Sequence, residues 1–222
     1  GACLSPGMDG FREGILKYTD LTVGRIRHFF LIQNTPLDYP FFYIAFAGGF
    51  DSNPLEFQAL RRYVMNGGFV FFEALGSGPA RKSSERIARQ GIEQVFGRDG
   101  RLEPIPNDHP IYSCYFDFPD GPPAYEKYLE DEFGGLEKQP FLEGVFLHGR
   151  LAAVFSKYGY GLRWNNPDGG GAGLRMGINL LVYALRQEGG NTVKRHDYAL
   201  GPGIKAQRNI AGLVLAPEAG VR

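Results

Sequence analysis

An α/β fold, a three-layer αβα sandwich around a mostly parallel, doubly wound sheet, is what this 222-residue sequence predicts. Three observations carry it. Tyr39 to Gly78 reads as strand, helix, strand; a glycine-bearing loop and a second helix from Ser84 repeat the order; and an apolar run, Leu151 to Ser156, precedes a closing helix over Leu174 to Arg186. Alternation of this kind implies parallel strands joined by right-handed crossovers, with helices on both faces of one sheet.

The elements follow in order. Phe11 to Tyr18 has the spacing of a short helix, and Arg25 to Ile32 puts Ile26, His28, Phe30 and Ile32 on one face at strand spacing. Phe41 to Ala47 is an apolar run after Tyr39-Pro40. Asn53 then offers a helix cap, with Pro54 at the first helical position and Glu56 three residues after the cap. In the helix Pro54 to Met65, the residues Leu55, Ala59, Leu60, Tyr63 and Val64 share a face that would pack on the sheet, leaving Arg61 and Arg62 toward water. Asn66-Gly67-Gly68 supplies a left-handed stop, and a second apolar run, Phe69 to Phe72, ends at Glu73. The helix from Ser84 puts Ile87, Gly91, Ile92, Val95 and Phe96 on one side, and the last helix turns Gly177, Leu180, Leu181 and Ala184 inward. Residues 1–190 thus read as one domain.

Two segments resist this grammar. Ser113 to Gly144 is too long for an ordinary connection and lacks a sustained period, so it reads as a loop insertion at 113–144. Its Tyr115, Phe116, Phe118, Tyr125, Tyr128 and Phe133 either pack on one another or face a partner. Residues 191–222 read as an extended arm in which only Ile210 to Ala216 is strand-like.

Composition excludes several function classes. Lys plus Arg is 24 and Asp plus Glu is 24, so no net field favours nucleic acid. No apolar run approaches the roughly 18 residues of a spanning helix. Cys3 and Cys114 permit one disulfide but supply too few thiolates for a structural zinc site. Gly1-Ala2-Cys3 resembles the end of a bacterial lipoprotein signal, although cleavage there would make Cys3 the first residue. The expected location is periplasmic or exported, and otherwise cytoplasmic.

Candidate chemistry centres on Glu73, because ligands of open α/β sheets bind beyond the carboxyl ends of the strands. Asp108 and His109 are expected at the same edge, where a carboxyl of raised pKa and an imidazole would suit acid-base work. The competing reading is a turn before Pro110 in which both side chains bond the local backbone. A metal held by Glu73, Asp108, His109 and His148 matches no ligand motif, so no metal is expected. Gly76-Ser77-Gly78 and Gly169-Gly170-Gly171 lack the P-loop and dinucleotide patterns, so no cofactor is expected. Ser77 and Ser156 lie in no Gly-x-Ser-x-Gly elbow. Tyr158, Tyr160, Arg163 and Trp164 follow a predicted strand and are ligand-binding candidates, able to stack on a sugar or clamp a carboxylate. Equally, Trp164 caps the core and Arg163 lies on the surface.

Five blocks in order carry a family resemblance: Tyr39-Pro40-Phe41-Phe42-Tyr43-Ile44; Leu60-Arg61-Arg62-Tyr63-Val64 with Asn66-Gly67-Gly68-Phe69; Asp108-His109-Pro110-Ile111-Tyr112; Gly149-Arg150-Leu151; and Met176-Gly177-Ile178-Asn179 with Tyr183-Ala184. Together they resemble a bacterial domain-of-unknown-function family numbered 4159, over about Leu37 to Arg186. The resemblance implies a class I glutamine amidotransferase-like fold, shared with trehalose-utilisation-like proteins, and hence a flavodoxin-like, amidotransferase-like sheet. Such amidotransferases keep a nucleophilic cysteine at the turn after a central strand. Here that turn holds Phe72-Glu73-Ala74, without a cysteine, and Glu73-Ala74 also departs from the aspartates that relatives carry there.

The functional expectation is therefore a noncatalytic binding or accessory domain in a larger bacterial assembly, without an amidotransferase activity. A protein partner would meet the 113–144 loop or the 191–222 arm, with peripheral association with a membrane complex as one setting. The alternative is a hydrolase acting on a small molecule or glycan, with Glu73 as acid-base and His109 assisting.

Overall fold

The computed structural model describes residues 5–23, 39–47, 54–76, 78–123, 141–165, 171–191 and 209–210. Its elements are α1 (Ser5–Tyr18), β1 (Thr22–Val23), β2 (Phe41–Phe46), α2 (Pro54–Met65), β3 (Phe69–Ala74), α3 (Gly78–Phe96), β4 (Leu102–Pro104), β5 (Glu143–Leu147), β6 (Arg150–Ser156), α4 (Ala172–Arg186) and β7 (Asn209–Ile210). Short 3-10 turns at Gly97–Asp99, Pro110–Tyr112 and Tyr160–Arg163 complete it.

The central sheet has the order β2-β3-β6-β5-β4. β2, β3 and β6 pair in parallel, while β5 is antiparallel to both β6 and β4, so β5 alone runs against the rest. Side chains alternate across the strands. Phe41, Tyr43, Phe69 and Phe71 face one way, onto Met8, Phe11 and Ile15 of α1 and Leu174, Ile178 and Leu181 of α4. Phe42, Ile44, Phe46, Val70 and Phe72 face the other, onto Leu60 and Val64 of α2 and Ala88, Ile92 and Val95 of α3. Two apolar layers thus share one sheet, and the three-layer α/β sandwich is the architecture.

Local chemistry explains where the elements stop. Gly67, with φ of 96°, ends α2, and its N–H reaches the Val64 carbonyl at 3.1 Å. Pro79 sits in the first turn of α3, which begins at Gly78 rather than Ser84 because proline there costs no hydrogen bond. α2 buries Phe57 in place of Leu55, which is 54% exposed. Arg61 does not point simply to water, since its Nη1 donates to the carbonyls of Val95 and Phe96 at 3.1 and 2.8 Å and caps α3.

β3 does not end at Glu73. The strand runs to Ala74, and Glu73 sits inside it, opposite Ala45 of β2 and Ser156 of β6. β4 and β5 answer to no predicted strand: β4 lies in a stretch given no element, and β5 starts in the last two residues of the 113–144 insertion, runs past it and returns into β6 through His148-Gly149. Both turn residues have positive φ, 51° and 79°, which a two-residue hairpin between right-twisted strands requires. Residues 114–116 lie against α4, held by Asn179. Its Oδ1 accepts from Phe116 N at 2.8 Å, and its Nδ2 donates to the Ile111 and Phe116 carbonyls, each at 2.8 Å. Residues 124–140, the Arg25 to Ile32 strand and the Asn53 cap lie outside the described residues, as do Ser77, Gly169 and Gly170. Of the 191–222 arm, Asn191 is described, as is β7, which pairs in parallel with β1. No helix among the described residues is long and apolar enough to cross a membrane.

Candidate functional site

Glu73 is wholly enclosed, with 0% exposure. Oε1 accepts from Tyr160 N at 2.7 Å, and Oε2 accepts from Gly161 N at 2.8 Å and from Tyr43 Oη at 2.8 Å. The Ser156 hydroxyl bonds the same carboxyl, while accepting from Tyr158 N at 3.0 Å. Burial pushes the Glu73 pKa up to about 7, against the pull of its bonds from Gly161, Tyr43, Tyr160 and Ser156. The same burial and the nearby carboxyl raise the Tyr43 phenol well above its usual range.

The loop after β6 is built to reach this carboxyl. Gly159 adopts φ of 68° and turns the chain, so that the first N–H groups of the 3-10 turn Tyr160–Arg163 point at Glu73. A Cβ at Gly161 would overlap Tyr43 Oη, so the approach requires glycine. α1 then closes the edge. Cβ atoms at Gly7 or Gly10 would overlap the carbonyls of Gly161 or Trp164, which measures how closely the helix lies on the turn. A carboxyl that titrates near neutrality has the acidity of a general acid-base catalyst. This one has its oxygens committed to the protein's own donors. What the arrangement does is fasten β2, β3 and the 160–163 turn together.

The ligand-binding candidates mostly serve the same closure. Trp164 is 0% exposed; it stacks on Phe11 at 4.2 Å and donates from Nε1 to Gly173 O at 3.2 Å. Tyr160 stacks on Phe71 and donates to Pro123 O at 2.7 Å, and Tyr158 packs beside it at 5.9 Å. Arg163 is exposed.

His109 and Asp108 lie elsewhere. His109 packs on Phe146 at 5.9 Å and Tyr183 at 5.3 Å, and Tyr183 in turn packs on Phe69, the first residue of β3. Glu73 is four residues further along that strand, roughly 13 Å away at strand rise. The structure therefore places the pair toward opposite ends of β3 and does not bring them together. His109 caps the Pro110–Tyr112 turn, its Nδ1 accepting from Ile111 N at 3.2 Å, and burial lowers its pKa against the opposing charge of Asp108. Asp108 is exposed in the preceding turn. Among the described residues, no three His, Cys, Asp or Glu side chains gather as a metal site would require.

Cys114 is a free thiol whose Sγ donates to Asn179 O at 3.3 Å; burial raises its pKa to about 11, and Cys3 lies outside the described residues.

Three residues not singled out as site candidates matter structurally: Gly161 through its backbone N–H, and Asn179 and Arg150 through their side chains. Arg150 donates to Val64 O at 2.6 Å and Gly68 O at 2.9 Å, capping α2 from the start of β6. An asparagine inside the apolar face of α4 and an arginine directly before a buried run were the available signals.

No curated protein matches the chain. A family model described as Domain of unknown function (DUF4159) matches residues 9–185, a span that begins within α1 and takes in the five motif blocks. The chain therefore belongs to this family of domains of unknown function, DUF4159.

Proposed function

We propose that the protein is a noncatalytic binding or accessory domain, a subunit or partner of a larger bacterial assembly, built on an amidotransferase-like fold. One observation carries the reading. At the strand end where that fold would keep its nucleophile stands Glu73, enclosed and bonded by Tyr43, Ser156, Tyr160 and Gly161. A substrate would have to displace the 160–163 turn to reach it. The alternative, a hydrolase using Glu73 and His109, draws no support from the separation of the two side chains along β3.

The test is copurification of the tagged full chain from its native source with cross-linking and mass spectrometry, alongside Glu73→Gln and a chain lacking residues 192–222. The expected result is a stoichiometric protein partner, retained by folded Glu73→Gln and reduced by removal of the arm. A hydrolytic activity of the wild-type chain on small ester or glycoside probes, lost in folded Glu73→Gln, overturns the reading.

A further inference from the structure

We draw no further inference here: the strongest candidate, the cavity bounded by the end of α2, the β5–β6 hairpin and the last turn of α4, carries none, because the half-buried Arg150 on its wall is already spent on capping α2 and the amide atoms of Gln187 are closed off from it.

Discussion

At Glu73, burial and hydrogen bonding pull the acidity in opposite directions, and burial wins. The ordinary value of 4.5 moves to about 7. Between those values the folded chain holds a proton that the unfolded chain has released, so stability falls as pH rises. This contribution is fully present below about pH 4.5, declines across the interval and is constant above about 7. A gap of about 2.5 between 4.5 and 7 corresponds to about 3 kcal/mol for the fully buried group. Glu73→Gln has no proton to exchange there, but sets an NH₂ against at least one of the N–H or O–H donors, a cost of about 1–3 kcal/mol. The stability deficit of the variant should therefore be larger at pH 5 than at pH 7.5, narrowing by about 2 kcal/mol. Urea midpoints of both proteins at the two pH values measure this, and a deficit of equal size at both would contradict the assignment.

At the scale of elements, α1 presents glycines where most helices present methyl groups. A Cβ at Gly10 would overlap the Trp164 carbonyl oxygen, which belongs to backbone and cannot swing aside. Gly10→Ala gains roughly 1 kcal/mol of helix propensity but forces an overpacked backbone contact costing about 1–3 kcal/mol. The contact should dominate, giving a net loss of stability and faster amide exchange in α1 and the 160–164 turn. A more stable Gly10→Ala with unchanged exchange would show that α1 does not rest on that turn. Such docking left little trace in the sequence, which predicted only Phe11 to Tyr18 as helix because Gly7 and Gly10 weaken the local signal. α2, β2 and the bulk of α4 were legible because proline, glycine and apolar spacing mark them locally. β5 was obscured by its neighbour, since Glu143 to Leu147 falls at the edge of an aperiodic segment and its pairing is set by the His148-Gly149 turn. The Glu73 position was legible as the place where a buried run meets a carboxylate. Its enclosure was not, because the donors come from residues 160 and 161, more than eighty positions along the chain.

For the molecule as a whole, the question is whether the two apolar layers unfold separately or as one. Phe71 and Phe72 are neighbours on β3, yet Phe71 packs in the layer beneath α1 and α4 and Phe72 in the layer beneath α2 and α3. The only tryptophan, Trp164, lies on the Phe71 side, with ring centroids 6.4 Å apart. β3 is also central, paired with β2 and β6 along nearly its whole length, so neither layer can lose its sheet face without stripping the other. Phe72→Ala removes a buried ring from the layer remote from Trp164 and should cost about 3–5 kcal/mol. If the shared sheet couples the layers, Trp164 fluorescence and far-ultraviolet circular dichroism will report the same, lowered denaturation midpoint in this variant. A tryptophan transition that stays at the wild-type midpoint while the dichroism shifts would mean that the α1 and α4 layer stands without the other. The geometry argues against that outcome, because the backbone that carries Phe72 also carries Phe71 and Glu73, and through Glu73 holds the turn on which Trp164 sits.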